Sequence, residues 1–600
     1  MNDLESFASS QLSRRSLLQL IGLAAGATTV LTACQGGGGA ASGSGQRIFR
    51  AGYPYDAPPK GNFNLLPGVP GAITLGYLYD LVLLPGAMYF WDSQKYFHLL
   101  ADPSSKLSAD GKTLTYKVRP GLKWSDGKPV TAQDVYTTWT LEYLLGNPVF
   151  KYVDKITKTD SMTVTFRIKS PAPIAEYYLL RGQIVSDAVY GQFMAEAEPM
   201  VKALTPNTDQ AMVKLTQKVS SFKPKTVTAS GPFNFDMDKV GDQQLTLVKN
   251  KSGYNADVVN FDTITVANGE TEVVTPLILA KKIDYATHGF PVASAQEFGA
   301  QGFRIIASSP TYDGDGVFFN FGKHPEFADK RVRQALAYAI DRPQMGQASL
   351  GASGVPVKYM AGMSDVLVAR WVSPADQAKL NPYPHDPTKA AQLLTQAGWK
   401  KQGSQWITPQ GNPAAYSLMY ASQYANKAAA AQNIQSQLDA FGFKVTLLGT
   451  DSTQVPVNMT SGKFDLAIQS WGSSRNPFPS DSYATDIQTY NYPTSKPGRG
   501  MDFPQVQDTA SVGRIDFETA IPDSGQGTSS ALKAKATKLA FAFNELLPVL
   551  PVDGRFTNNP VSTANITGYP PDDDPIYKNS TYADNFTTIL MFQGTLKPAG

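Results

Sequence analysis

The chain has 600 residues, of which 42% are hydrophobic and 17% charged, so it is long enough for two or three lobes and too apolar to be disordered. Its 53 Lys and Arg residues nearly balance its 50 Asp and Glu residues, and no sustained basic run could neutralise a row of phosphates; no nucleic-acid partner is expected. The single cysteine excludes an internal disulfide, and the four widely separated histidines exclude a structural zinc site.

Residues 1–34 have the pattern of an export signal. Arg14 and Arg15 precede an uncharged apolar run at 20–31, which is shorter than the ~20 residues that a membrane-spanning helix needs. The paired arginines resemble a twin-arginine signal. Leu-Thr-Ala-Cys, ending at Cys34, resembles a bacterial lipobox, in which the cysteine carries lipid. Cys34 is therefore the predicted lipidation site, and an incidental cysteine in an ordinary secretory signal is the alternative.

Residues 35–46 are predicted to form a flexible linker. They include the sequence GGGGAASGSG, a coil with a reach of roughly 15–20 Å. A lipid-modified cysteine with more than one acyl chain gives stable anchoring, which a single chain does not. No later stretch is apolar enough to span a membrane. We expect the rest of the chain to lie outside the cytoplasm, with the membrane contacted through lipid only.

The first part of the body has strand patterns with one clear helix start. Residues 110–130 alternate apolar and polar residues between Asp-Gly and Pro-Gly turns, which predicts a hairpin. Thr131 and Asp134 have the spacing of a capping box, so a helix is expected to begin there. Another strand is predicted at 162–168. Residues 76–184 are therefore expected to form a small β-rich lobe.

Farther along, strands alternate with helices, which favours a parallel α/β sheet. A helix predicted at 330–340 is capped by Asp329, and we expect Arg331 and Arg333 to point away from its apolar face. The remaining predictions are strands at 417–420, 443–448 and 464–471, and helices at 389–397 and 425–440.

No catalytic or metal-binding motif is complete. Gly111-Lys112-Thr113 lacks the preceding glycine of a phosphate loop, and the zinc-protease pattern H-E-x-x-H is absent. Two Ser-x-x-Lys pairs, at 220–223 and 530–533, have no partner motifs, and the acids at 572–574 lack the spacing of a calcium loop. We therefore predict a protein that is not an enzyme and has no cofactor.

Four segments, in the same order, resemble the family 5 extracellular solute-binding proteins of bacterial ABC importers, which include oligopeptide and dipeptide binders. The first, DGKTLTYKVRPGLKWSDGKPVTAQDV at 110–135, is the most specific. The others are Ala229–Phe233 with Leu247–Asn250 and Tyr254, then Asn320–Arg342 with FADKRVRQALAYAIDR, then Lys389–Trp399 with Phe464–Trp471.

The resemblance implies an α/β fold with two lobes joined by a hinge, as in periplasmic binding proteins, and an extra β-rich lobe inserted into the first. Together with the element pattern, it assigns 47–75, 185–305 and 545–600 to lobe I, 76–184 to lobe II and 306–544 to lobe III. The ligand is expected between lobes I and III, which close on it. The implied partners are a membrane permease with cytoplasmic ATPases, and the protein is expected to be a monomer.

The resemblance also implies where the ligand binds. The expected contacts follow the strand that ends at Trp471, and Tyr53 and Tyr55 join them because the family's first strand ends near the cleft. The full expected set is Trp471, Gly472, Ser473, Ser474, Arg475, Asn476, Tyr53 and Tyr55.

The ligand class stays open at this stage. Similar peptide binders have an aspartate three residues after the tryptophan, which pairs with the peptide ammonium, whereas this chain has Ser474; Asp465 or Asp481 would have to replace it. Arg475, if it points inward, favours an acidic ligand. An oligosaccharide is the competing ligand, because Trp471 and Asn476 suit sugars. A hydrolase on a similar scaffold and a chaperone or sensor are more distant alternatives.

Overall fold

The computed structural model describes residues 47–55, 62–66, 69, 73, 75–491 and 500–599. The predicted signal peptide and linker, with Arg14, Arg15 and Cys34, lie outside the described residues. Among the helices that are described, none has both the length and the apolar character required to cross a membrane.

Seven strands form the first sheet, which brings together three separate parts of the chain. Ile48–Gly52 runs parallel to two neighbours, while the strands on both flanks are antiparallel. In spatial order the strands are Arg304–Ile306, Asn559–Val561, Tyr285–Ala286, Ile48–Gly52, Thr263–Ala267, Gln244–Lys249 and Phe233–Val240.

Five strands form the second sheet, which is mixed and not wholly parallel. The strands separated by helices pair in parallel, as predicted, but Asp313–Phe319 is antiparallel to both of its neighbours. In spatial order the strands are Lys444–Thr450, Ala415–Ala421, Leu466–Gly472, Asp313–Phe319 and Val549–Pro551.

The third sheet has four antiparallel strands, Lys106–Leu107, Thr113–Lys117, Thr163–Ile168 and Val153–Lys158 in spatial order. The helix that follows its hairpin begins as expected: Thr131 accepts from the backbone N–H of Gln133, and Asp134 accepts from that of Thr131 at 2.8 Å. The predicted capping box is therefore confirmed. The two side chains thus accept hydrogen bonds from two backbone N–H groups at the start of the helix, which have no partner within the helix.

The remaining strands form two-stranded ribbons. These pair Ala87–Phe90 with Lys95–His98, Gly354–Val355 with Gly554–Arg555, Lys400–Gln402 with Gln405–Ile407, Val506–Thr509 with Gly513–Asp516, and Ile566–Thr567 with Lys597–Pro598.

Helices cover the sheets. The α-helices are Ala132–Leu144, Pro173–Arg181, Asp187–Tyr190, Met194–Lys202, Gln210–Ser220, Thr271–Leu279, Val292–Ala300, Lys330–Ala339, Arg342–Leu350, Asp365–Trp371, Pro374–Gln377, Pro387–Gln396, Ala425–Phe441, Gln454–Thr460, Pro479–Ile487, Phe517–Asp523, Ser529–Leu546 and Phe586–Phe592. The 3₁₀ turns are Gly76–Leu81, Pro148–Lys151, Gly191–Phe193, Pro325–Ala328, Gly351–Ser353 and Pro575–Lys578.

Arg333, on the helix Lys330–Ala339, does not reach solvent. It is 1% exposed, and its Nε donates to the carbonyls of Leu546 and Leu547 at 2.8 and 3.0 Å. The last carbonyls of a helix have no partner inside the helix, so a cation from a neighbouring helix satisfies them. A side chain that points away from one apolar face can thus still be buried against another element.

Two chain segments connect the first sheet to the second, and we call them the crossover pair: residues 307–312 and 552–558. The segments lie side by side, because Thr311 donates to the carbonyl of Arg555 at 2.9 Å and Thr557 donates to that of Ser309 at 2.8 Å. Val549–Pro551 pairs in the second sheet. The chain therefore crosses back to the first sheet after Pro551, and not at 545, where the last segment of lobe I was predicted to begin. The helix Ser529–Leu546 ends close to 545, but the strand after it, Val549–Pro551, still belongs to the second sheet.

The apolar cores divide between the first and second sheets in the same way as the chain does. One continuous apolar cluster includes Ile264 of the first sheet and Val164 of the third, whereas Val317 and Ile468 of the second sheet belong to a separate cluster. The first and third sheets therefore share a core, and the second sheet has its own. A smaller apolar cluster packs Trp91 and Tyr177 together with Met363 and Leu367.

Candidate functional site

The strand Leu466–Gly472 ends in a turn that requires glycine. Gly472 has φ 72°, a left-handed conformation, and a Cβ there would lie 2.9 Å from the carbonyl oxygen of Tyr312. Its backbone N–H donates to the buried carboxylate of Asp486 at 2.7 Å. The turn directs the next four residues away from the second sheet and toward the other two.

Trp471 lies behind this turn. Its ring is 0% exposed, and its indole N–H donates to the carbonyl of Asp553 in the crossover pair at 2.7 Å. In this conformation the tryptophan joins the strand end to the crossover pair and presents no ring face to a solute.

Ser473 to Asn476 lie between the helix Pro173–Arg181 and the C-terminal part of the chain. The carbonyl of Ser474 accepts from Ser580 at 2.6 Å, and the carbonyl of Arg475 accepts from the hydroxyl of Tyr177 at 2.9 Å. Ser580 belongs to the C-terminal part of the chain and Tyr177 to the helix Pro173–Arg181. The turn is therefore held from both sides by backbone contacts that do not depend on its side chains.

Asp481 is the acid that the structure brings to this turn. It accepts from Ser473 and, at 3.2 Å, from the hydroxyl of Tyr178. The side chain of Arg475 is 70% exposed, with its Nε 3.7 Å from Asp481. Asp465, the other acid considered, lies at the opposite end of the strand and contacts Lys323, His324 and Ser417.

Beside the turn is a cavity of about 430 Å³, a volume within the roughly 300–1,000 Å³ typical of ligand pockets. One wall comes from the helices Ala132–Leu144 and Pro173–Arg181 and the segment 147–152. The other wall comes from residues 475–489 and 521–522, and includes Arg475, Asn476 and Asp481. Asn476, 1% exposed, donates to Tyr178 at 3.3 Å and so joins the two walls. We call this space the lobe cavity.

A buried arginine organises one end of the lobe cavity. Arg181 donates to Asp80 and to Asp584, with its Nε 2.9 Å from the latter. Burial alone would lower the pKa of the guanidinium, but the two carboxylates outweigh it and raise that pKa above its ordinary value. Asp584, itself 0% exposed, also accepts from the indole of Trp91 at 2.8 Å.

Glu142 is the other notable charge in the lobe cavity. It is 5% exposed, and burial raises the pKa of its carboxyl to about 7. One oxygen accepts from Asn147 at 2.7 Å, while the other is buried and accepts no hydrogen bond from the described residues.

Tyr53 and Tyr55 lie elsewhere. Tyr55 is 6% exposed, and its hydroxyl donates to the carbonyl of Gly241 at 2.6 Å. Tyr53 packs edge to face on Tyr77, and burial, followed by the nearby Tyr582, raises its pKa. Neither tyrosine lines the lobe cavity.

Tyr53 belongs to a second polar cluster, between the first and second sheets. Glu270 accepts from Tyr424, which directly precedes the helix Ala425–Phe441, and burial raises the pKa of Glu270 to about 7. His288 lies 4.0 Å from Glu270, but its Nε2 contacts the carbonyl of Gly269 at 2.8 Å, and burial lowers its pKa to about 4. The expected ligand residues therefore divide between two places.

The sequence pattern gave no sign of Glu142, Arg181 or Tyr178. Each lies within an ordinary helix pattern, and its role depends on partners far away in the chain: Tyr178 contacts residues about 300 positions away. Asp481 was a candidate only as an acid near the turn; the structure places it in the first turn of the helix Pro479–Ile487.

Comparison with known proteins identifies similar chains. The model for "Bacterial extracellular solute-binding proteins, family 5 Middle" matches residues 95–492. A "Probable ABC transporter-binding protein" from Deinococcus radiodurans is 25% identical over 410 residues, which cover 64% of this chain and 64% of that protein. The match thus spans less than two thirds of that relative's length.

Two solved structures share the fold over 92% of this chain. A periplasmic oligopeptide-binding protein from Thermotoga maritima with bound mannohexaose has a TM-score of 0.69 and 17% identity, over 99% of its chain. The oligopeptide-binding protein AppA from Bacillus subtilis, in complex with a nonapeptide, has a TM-score of 0.67 and 18% identity, over 100% of its chain. The chain therefore has the α/β, two-lobed fold of the periplasmic binding proteins, as expected.

Proposed function

Because the chain belongs to family 5 of the bacterial extracellular solute-binding proteins, we propose that it captures a peptide or peptide-like solute outside the cytoplasm and delivers it to the permease of an ABC importer. The cytoplasmic ATPases of that importer would supply the energy. This chain would act as a monomeric receptor and break no bond.

The observation that carries this proposal is the lobe cavity beside the turn 472–476. One wall belongs to the segment assigned to lobe II and the other to lobe III, so this cavity is not the space between lobes I and III in which the resemblance placed the ligand. The wall from 475–522 belongs to the body of the second sheet, whose core is separate from that of the first and third sheets. A solute that contacts both walls favours the closed arrangement, since a ligand shifts such an equilibrium only through its differential affinity for the two states. The same arrangement would present a closed, loaded protein to the permease.

An oligosaccharide is the second candidate ligand. The lobe cavity is lined by the rings of Trp139, Tyr152, Tyr177 and Tyr178, and aromatic faces suit the apolar faces of sugars. The Thermotoga protein, of the same fold, has mannohexaose bound. In this alternative Asn476, rather than a charged group, would orient the solute.

A hydrolase is the distant alternative. His288 has an acid beside it in Glu270, but a nucleophile within hydrogen-bond distance of the ring would also be needed. The hydrogen-bond contact found for its Nε2 is the carbonyl of Gly269. The matched family and the compared structures are binding proteins.

We further propose that the protein is tethered by lipid on Cys34 to the outer face of the plasma membrane, after export through the signal containing Arg14 and Arg15. Replacing Cys34 with Ser should move the protein from the membrane fraction to the soluble extracytoplasmic fraction. Retention of the variant in the membrane fraction would contradict lipid anchoring.

Native mass spectrometry of residues 35–600, purified gently, tests the binding function. Copurified peptides of mixed sequence would support peptide capture, and a mass series in hexose steps would support the oligosaccharide alternative. If the protein is empty, a thermal-shift screen against peptide pools and mannohexaose follows; stabilisation by neither class would contradict the proposal.

A further inference from the structure

One strand at the edge of the third sheet is open on its outer side. Val153–Lys158 is the last strand in the spatial order, and among the described residues it pairs in the sheet with Thr163–Ile168 alone. No backbone group on its outer side bonds to another residue in the part of the chain that the structure describes. A strand of six residues, about 20 Å long, therefore presents unpaired N–H and C=O groups along one side.

The pairing next to this strand shows which of its backbone groups point outward. Thr159, directly after the strand, donates its N–H to the carbonyl of Thr163 at 2.9 Å. Along an antiparallel pair, residues that exchange hydrogen bonds alternate with residues that do not. Thr157 therefore bonds to the neighbouring strand, whereas the N–H and C=O groups of Ile156 and Lys158 point away from it.

A groove of about 750 Å³ runs beside this open edge, and we call it the edge groove. The helix Ala132–Leu144 forms its floor, and the helix Met194–Lys202 forms the wall opposite the strand. Tyr136 of the floor donates to Glu198 of that wall at 2.7 Å, which joins the two helices. Among the described residues, none lines both the edge groove and the lobe cavity.

Part of the edge groove is apolar and accessible. Tyr143 and Phe150 pack edge to face with their ring centroids 5.0 Å apart, and both side chains are only partly buried. Leu204 also lines the groove and is 46% exposed. Successive residues of a strand point to opposite faces, so every second side chain of a strand added here would face this apolar surface.

The charges of the edge groove are not balanced. Both acids that line it already have a cation, Arg167 at 2.7 Å and Lys202 at 2.8 Å. Lys155 and Lys158 are exposed and form no ion pair among the described residues, and Lys158 donates to the neutral amide oxygen of Gln133. Lysines on an edge strand ordinarily discourage pairing, so a strand that pairs here has to bring acids of its own.

We propose that the edge groove is a docking site for an extended acidic segment of a partner protein, which adds a fifth strand to the third sheet beside Val153–Lys158. The backbone of the segment pairs with the outward groups of Ile156 and Lys158. Its acids pair with the unbalanced lysines, and an apolar side chain packs on Tyr143 and Phe150. Backbone pairing supplies affinity, and the charges select the partner. This site does not depend on solute binding in the lobe cavity.

The test uses residues 35–600 and two labelled hexapeptides with blocked termini, one of alternating valine and glutamate and one of alternating valine and lysine. Binding is measured by fluorescence anisotropy at low and high salt. Lys158→Glu reverses a charge of the edge groove, and Lys112→Glu is its matched control, since Lys112 is an exposed lysine of the same sheet that does not line the groove. Ile156→Pro removes an outward N–H and keeps the pairing with Thr163–Ile168, and Ile156→Val is its control.

We expect the acidic hexapeptide to bind and the basic one not to bind, with an affinity that falls as salt screens the lysines. Lys158→Glu and Ile156→Pro should each weaken binding roughly 10-fold or more, and the two controls should change it less than about 2-fold. On binding, hydrogen exchange should slow at the amides of Ile156 and Lys158 and stay unchanged at Thr157, which is already paired. Unfolding temperatures check the folding of each variant, and the exchange result decides the question even where Ile156→Pro does not fold.

Four results would overturn the inference, and none of them touches solute binding in the lobe cavity. The first is no binding of the acidic hexapeptide at about 1 mM. The second is equal binding of the basic hexapeptide, or no effect of Lys158→Glu. The third is binding without slower exchange at Ile156 and Lys158, which would mean that the groove takes a carboxylate and not a strand. The fourth is a dimer of the free protein that Ile156→Pro abolishes, which would make a second copy of this chain the occupant.

Discussion

The crossover pair and the lobe cavity both bury acids, but they surround them differently. Near the crossover pair, Asp313 pairs with Arg555 at 3.0 Å, and Asp315 lies 3.1 Å from the ammonium of Lys427. Burial, followed by the charge of Asp315, raises the pKa of Asp553 well above its ordinary value. Two of these acids thus each face a cation, whereas the charged form of the third is disfavoured by burial and by the neighbouring acid.

Among the residues that the structure describes, no cation pairs with Glu142 in the lobe cavity. Glu142 is among the residues that line the lobe cavity, although its Oε1 is buried. Asp553 lies against backbone, with its carbonyl beside Gly314 and accepting from the indole of Trp471. The acids that face cations hold the bodies together, whereas Glu142 is buried with only Asn147 as a hydrogen-bond partner among the described residues. Changes at each place should therefore affect different properties.

The largest expected effect on stability comes from Asp584→Ala. This substitution removes the acceptor for the side chains of Trp91, Tyr177 and Arg181, and leaves Arg181 with one carboxylate fewer. We expect a loss of about 4 kcal/mol in the free energy of unfolding, measured by urea denaturation. Asp572→Ala, in an exposed ion pair, is the control and should cost less than about 1 kcal/mol. Equal losses would contradict the structural role.

Lys427→Met should cost somewhat less, about 3 kcal/mol, because it leaves the carboxylate of Asp315 buried without its cation. Adding Asp315→Asn should recover at least half of that loss, since the uncompensated charge is then removed. The measurement is a double-mutant cycle by urea denaturation, with Lys379→Met in an exposed pair as the control. An additive cycle would show that the two groups are not coupled.

Glu142→Gln should change the pH dependence of stability. With its pKa raised from 4.5 to about 7 in the folded protein, Glu142 favours folding below pH 4.5, and this contribution is lost as the pH rises through 7. The variant lacks this loss, so its stability relative to the wild type should increase by up to about 3 kcal/mol between pH 4.5 and 7 and then stay constant. Urea denaturation at pH 5, 6, 7 and 8 measures this, and a difference independent of pH would contradict it.

Arg475→Gln should have the smallest effect. Its side chain is 70% exposed and its nearest acid, Asp481, already accepts from Ser473 and Tyr178. We expect at most about 0.5 kcal/mol of lost stability and no change at high salt. Calorimetric melting at low and high ionic strength provides the measurement, and a loss above 1 kcal/mol would place this arginine among the compensated charges.

Much of the fold could be predicted because its signals are local. The capping box at Thr131 and Asp134 and the strands of the second sheet that alternate with helices both depend on residues a few positions apart. The antiparallel pairing of Asp313–Phe319 could not be predicted in this way. That strand enters directly from the crossover pair, with no helix before it to reverse the chain.

The candidate site was only partly predictable. The turn after Trp471 was expected from the resemblance, and the structure places Asn476 and Arg475 at the lobe cavity. Trp471 itself is buried behind the turn, and Tyr53 and Tyr55 lie away from the cavity. Their involvement in binding stays a prediction, because sequence order does not say which side of a strand end faces the solute.

The sequence by itself determined the family, the α/β fold class and the position of the turn after the second sheet's central strand. These depend on motifs and periodicities written within short segments. Only the tertiary structure decided which charges are compensated: Arg181 meets Asp584 across 403 positions, whereas Glu142 meets no cation in the described part of the chain. The energy of a buried charge depends on every group within a few ångströms, and chain folding, not sequence separation, decides which groups those are.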